Sequence, residues 1–129
     1  MGDELCLTKL YIELIDQQHL MKLRVKNTLL KVVADHIKSI FDQSFICRIG
    51  GDEFITILEG ESYKNLKTLI NKFEKGLKTL SLASNSAVDI SCAYGYAKYI
   101  PGEDSSFTDV FRKADAAMYK NKAEIKRSE

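Results

Sequence analysis

Residues 47–60 read CRIGGDEFITILEG. Two glycines and two carboxylates, Gly50, Gly51, Asp52 and Glu53, separate an apolar run at 45–47 from a second at 54–58. Short apolar runs around a glycine pair predict an antiparallel hairpin, because glycine supplies the positive φ angles that tight hairpin loops require. The acidic residues are then expected at its tip.

Working outward, residues 7–15 are rich in β-branched and aromatic side chains, with Leu10, Ile12 and Leu14 alternating against Tyr11, Glu13 and Ile15. That period of two predicts a strand ending at Asp16. Val25, Leu29, Val32, Val33, Ile37 and Ile40 recur at threes and fours, which predicts one apolar face of a long helix reaching about Ile40. After the hairpin, Leu66, Leu69, Ile70, Phe73, Leu77 and Leu80 repeat the helical pattern over 63–80. Residues 86–100, SAVDISCAYGYAKYI, alternate like a strand with two unequal faces until the single proline, Pro101, ends it. Ser105 or Ser106 is placed to cap a last helix over 107–122, with Val110, Phe111, Ala114, Ala117 and Met118 inward. The order βαββαβα favours an α+β fold, a central and largely antiparallel sheet flanked by helices, in one domain over 1–129.

The 129 residues are 45% hydrophobic and 29% charged with a net charge near +1, which points away from disorder and from a general attraction to nucleic acid. Function is expected from a local site. Cys6, Cys47 and Cys92 are odd in number and widely spaced, so they read as reduced thiols and a cytoplasmic location is expected. No apolar run approaches the ~20 residues that cross a bilayer, so no membrane contact by this domain is expected.

Asp16 closes the first strand while Asp52 and Glu53 sit in the hairpin turn. Were that strand to pair beside the hairpin, the three carboxylates would converge at one end of the sheet and could hold a hard divalent cation against a phosphate. Gly50 and Gly51 would let a nucleotide approach the backbone closely. Taken alone, the turn also reads as a solvated hairpin tip, and Asp16 as a helix N-cap.

The string at residues 48–54, RIGGDEF, resembles the signature of the GGDEF family, the diguanylate cyclases. Residues 14–22, LIDQQHLMK, are similar to a weakened form of that family's strand-end motif Ile-Asp-x-Asp-x-Phe-Lys. Residues 88–99 and 111–122, VDISCAYGYAKY and FRKADAAMYKNK, resemble its later strand and closing helix. The resemblance implies a palm-like fold of the nucleotidyl cyclase or ferredoxin-like kind. It also implies magnesium or manganese as cofactor and condensation of two GTP into cyclic di-GMP by a homodimer. Sensory or output domains of a longer parent protein are implied partners. Carried over by position, Asp16, Asp52 and Glu53 match metal ligands, with Asp52 and Glu53 catalytic. The backbone at Gln18, His19, Leu20 and Met21 would cradle phosphates at a helix start, together with Gly50 and Gly51. Lys122 matches a phosphate-binding lysine, and Lys126 stands where the family has an arginine, keeping the charge but losing the fork.

The chain also departs from the pattern. Gln18 replaces the second Asp of the strand-end motif, and the stretch to the hairpin is shorter than the family's by about two helical turns. Val25 and Lys26 stand where a guanine-binding Gly-Asp pair would fall, leaving Asn27 as a base contact or a solvated helix residue. Phe41 and Ser44 replace the Arg and Asp of the product-binding motif, so feedback inhibition there is expected to be absent. Two functional expectations follow. One is a diguanylate cyclase. The other is a degenerate domain with little or no turnover that serves as a nucleotide-binding regulatory or dimerisation module.

Overall fold

The computed structural model describes residues 5–16, 22–42, 45–60, 64–83 and 88–127. Seven elements follow in the expected order. They are β1 (Leu5–Ile15), α1 (Leu23–Ile40), β2 (Phe45–Arg48), β3 (Glu53–Glu59), α2 (Leu66–Ala83), β4 (Asp89–Lys98) and α3 (Phe107–Arg127).

One sheet of order β2-β3-β1-β4 is antiparallel throughout. β1 is central: it pairs β3 from Leu5↔Glu59 to Tyr11↔Glu53, and β4 from Cys6↔Lys98 to Ile15↔Asp89. Alternation along β1 then divides the molecule. Cys6, Leu10 and Ile12 face a core built with Leu30, Val33 and Ile37 of α1 and Ile70, Phe73 and Leu77 of α2. Leu7 faces the opposite side, where Ile55, Ala97, Val110 and Ala114 form a smaller core under α3.

The apolar spacing finds α1 but misplaces its flank. Leu30, Val33 and Ile37 are buried, whereas Val25 and Val32, seven residues apart and so on one helical stripe, are 44% and 39% exposed. The helix closes at Phe41, whose N–H donates to the Ile37 carbonyl and whose ring packs at 6.2 Å from that of Phe73. At the start of α3 the carboxylate of Asp109 accepts from both the N–H and the hydroxyl of Ser105, while the Asp109 N–H donates to the Ser106 carbonyl. The expected serine cap is thus replaced by the acid reaching back, the Ser105 hydroxyl donating to Asp109 rather than accepting a helix N–H. The hydrogen bonds from Ser105 hold the Asp109 carboxyl below its ordinary range.

α3 lies unusually close to β4. A Cβ on Gly95 would stand 2.1 Å from the Met118 nitrogen and 2.4 Å from the Ala114 carbonyl oxygen. Only glycine permits this approach, and it is what lets side chains of α3 reach across β4 to β1. Among the described residues no helix is long and apolar enough to cross a membrane.

Candidate functional site

The hairpin tip is held by its own chain. The Ile49 N–H donates to the Glu53 carbonyl at 3.0 Å, and the Arg48 guanidinium donates to the carbonyls of Gly50 and Gly51 at 3.1 and 2.6 Å. Arg48 also lies 5.9 Å from the centre of the Phe54 ring. Against β1, the Ile12 N–H donates to the Asp52 carbonyl at 2.8 Å, and Tyr11 stands directly opposite Glu53. Asp52 and Glu53 are therefore anchored at the middle of β1.

The two signature glycines do not serve the purpose expected of them. The described glycines with positive φ are Gly60 and Gly102, not Gly50 or Gly51. The connection over residues 49–52 is longer than the two-residue turns that demand such angles, so the chain reverses without them. Nor does packing require a missing side chain. A Cβ on Gly51 would meet nothing within 4 Å, and one on Gly50 only ordinary contact with Glu53 at 3.9 Å.

Asp16 lies one residue beyond Ile15, which still pairs with Asp89. It is four residues past Ile12, about 13 Å of strand at roughly 3.3 Å per residue. Among the described residues no three His, Cys, Asp or Glu side chains stand together as metal ligands. The structure thus brings Asp52 and Glu53 to Tyr11 and Ile12, and leaves Asp16 farther along. Gln18, His19, Leu20 and Met21 lie outside the described residues, as does Ser44. Lys122 is on the α3 side of the sheet, its ammonium 3.8 Å from the centre of the Tyr11 ring. Lys126 falls in α3, its side chain outside the description.

Sequence reasoning missed three residues. Lys9, two positions before Tyr11 and on the same face, is buried with its ammonium 3.6 Å from Oε2 of Glu53 and in contact with Oδ1 of Asp115. Asp115 is the second. Phe111, Asp115 and Tyr119 recur every four residues on one stripe of α3, beside the buried Ala114 and Met118, and a carboxylate between two aromatics there was a signal that a cation faces it. The third is Glu13, half-buried on the Tyr11 face and one residue past the Ile12–Asp52 hydrogen bond. In register it is the β1 carboxylate nearest the hairpin.

These residues do not suit the implied divalent cation. Glu53 faces an ammonium, Glu13 is the one β1 carboxylate near the hairpin, and among the described residues no three such donors stand together in the number that magnesium or manganese requires.

A four-stranded antiparallel sheet with two helices on one face, one on the other and a GGDE tip defines a palm-like domain of the cyclase kind. The family model "Diguanylate cyclase, GGDEF domain" matches residues 24–128, and the chain belongs to that family. It is 36% identical over 92 residues to the bifunctional diguanylate cyclase/cyclic di-GMP phosphodiesterase MucR of Pseudomonas aeruginosa, covering 70% of this chain and 13% of MucR. To the probable diguanylate cyclase DgcC of Escherichia coli it is 29% identical over 119 residues, covering 74% of this chain and 32% of DgcC. The chain thus spans a third or less of these relatives' lengths. The fold is shared with the active GGEEF domain of a diguanylate cyclase from Vibrio cholerae, at a TM-score of 0.73 and 21% identity over 94% of this chain and 78% of that one. It is likewise shared with the cyclase SiaD of Pseudomonas aeruginosa, at a TM-score of 0.78 and 17% identity over 94% and 47%.

Proposed function

We propose that this domain binds GTP at the hairpin end of its sheet and acts, with little or no turnover, as a regulatory or dimerisation module of a longer cytoplasmic signalling protein. The observation that carries the binding is the pair of glycines. Neither backbone angle nor packing within the chain calls for Gly50 or Gly51, so their bareness suits something that approaches from outside. Arg48 occupies their carbonyls and sets a guanidinium beside them, a positive charge that favours a phosphate. Lys122, and by position Lys126 and the backbone of Gln18 to Met21, would supply positive charge and N–H donors to the phosphate tail. Little turnover is proposed because β1 presents Tyr11 and Ile12 where the hairpin acids meet it, with Asp16 farther along.

Calorimetric titration with GTP tests the reading. Saturable binding that weakens at least about tenfold in Gly51→Val and in Lys122→Ala is expected, a loss of about 1.4 kcal/mol. No heat of binding by folded protein at millimolar GTP overturns it. A second reading, condensation of two GTP into cyclic di-GMP by a homodimer, is favoured by the unbroken signature, residues 50–54. Chromatography of an incubation with GTP and magnesium at high protein concentration decides between them, since cyclic di-GMP appears only under the second.

A further inference from the structure

We infer that Lys9 is a built-in counter-ion that takes the place of a divalent cation at Glu53, closing that carboxylate to magnesium and manganese. The Lys9 side chain is only 5% exposed, whereas those of Glu53 and Asp115 are 26% and 31% exposed. The ammonium is therefore the enclosed member of the group and the two carboxylates are its cover. Its place is fixed by the fold: in register Lys9 lies between Ile55 of β3 and Gly95 of β4. Gly95 is where α3 comes closest to the sheet, which brings Asp115 down onto Lys9. The rings of Phe111 and of the more exposed Tyr119, centred 5.1 and 6.0 Å from the nitrogen, add electron-rich faces that favour a cation.

A divalent ion at Glu53 would have to displace this arrangement. Magnesium sits about 2 Å from its oxygen ligands, so an ion on Oε2 would stand within roughly 6 Å of an ammonium that is itself 5% exposed, and water screens that repulsion only from the carboxylate side. Turning Glu53 away instead would leave the buried ammonium with one of its two carboxylates, which the low-dielectric surroundings penalise. The Lys122 ammonium over Tyr11 adds a second positive charge on the same face. A phosphate arriving at this end therefore meets cations supplied by the protein itself.

The test leaves nucleotide out, so its result is separate from that of the GTP titration. Metal-free protein is titrated with Mn²⁺ and the electron paramagnetic resonance signal of the free ion is followed, for wild type, Lys9→Met and Lys9→Arg, with a thermal melt of each to show folding. Methionine matches the length of the lysine stem beside Ile55 and Phe111, while Asp115 and Glu53 retain access to solvent. The expected result is at least about tenfold tighter Mn²⁺ binding by Lys9→Met than by wild type, reversed by adding Glu53→Gln, and no gain in Lys9→Arg. Equal affinity in wild type and folded Lys9→Met overturns the inference. Should Lys9→Met not fold, wild type decides: weak binding indifferent to Glu53→Gln supports the inference, and tight binding lost in that variant overturns it.

Discussion

Replacing Gly95 by alanine tests how the two faces of the molecule are coupled. The added Cβ would lie 2.1 Å from the Met118 nitrogen, 2.4 Å from the Ala114 oxygen and 2.6 Å from the Ala117 carbonyl carbon. All three obstacles are backbone of α3, so no side chain can rotate away. The helix must retreat by roughly 1 Å or more before contacts return to ordinary van der Waals distances. Overpacking of this kind costs about 1–3 kcal/mol, and a rigid helix as the obstacle places Gly95→Ala at the upper end, about 3 kcal/mol. For a chain of this length that lowers the melting temperature by about 10 °C. The retreat also loosens Ala114 and Met118, both fully buried, and the hydrogen bond from the Tyr94 N–H to Asn121. Gly51→Ala is the matched control, because its new Cβ meets nothing within 4 Å. Thermal and urea melts of the two variants beside wild type provide the assay. Melting of Gly95→Ala within about 2 °C of wild type would refute the claim that α3 rests directly on the β4 backbone.

Four further outcomes are expected. Gly51→Val melts like wild type, within about 0.5 kcal/mol, because the site is open, yet loses GTP in calorimetry; equal loss of stability and binding would instead mean an unfolding variant. Thr56→Val raises stability in urea by about 1 kcal/mol, since the Thr56 hydroxyl is fully buried without a hydrogen-bond partner, and no gain would mean that a partner exists. Burial pushes the Cys6 thiol up from 9.0 to about 11 and the Cys92 thiol higher still, the charge of Glu74 adding to the latter. The folded chain then keeps protons that the unfolded chain has released, so stability falls as pH rises from about 9 toward 11, and Ellman's reagent at pH 8 reaches Cys47 well before either buried thiol. Hydrogen bonds from Lys113 and then from the Ile100 N–H hold the Asp104 carboxyl below its ordinary value. That contribution is complete above the unfolded value and lost as pH falls through the folded one, so Asp104→Asn flattens the acid limb of a stability–pH profile.

The fold was legible because its signals are local. Periods of two and of three to four named all seven elements in order, and the leucines and Phe73 of α2 fell on the buried stripe as read. What failed was whatever depends on partners distant in sequence. Val25 and Val32 were assigned inward because periodicity finds a stripe without saying which edge of it the sheet covers. Gly50 and Gly51 were read as conformational glycines, although the register of Arg48 with Phe54 leaves enough residues to turn without them. At the site, Asp52 and Glu53 were visible in a literal string. Asp16 was placed beside them by its position at a strand end, and only the pairing of Tyr11 with Glu53 shows how far along β1 it lies. Lys9 gave no signal of its own in the alternation of the strand; its enclosure needs Asp115, more than a hundred residues later.

The signature and the chemistry associated with it therefore rest on different physical supports. The turn is self-sufficient: Arg48 grips two of its carbonyls, and Ile49 pairs with Glu53 inside the hairpin itself. Its shape can persist whatever β1 carries. The charge balance around Glu53 is not local, because it is set by Lys9 on β1 and by Asp115, which α3 delivers through the close approach at Gly95. A chain can keep the first while the second is rewritten. In this chain the string at residues 50–54 reports the form of a turn. Whether that turn does chemistry is decided by the residues of β1 and α3 that face it.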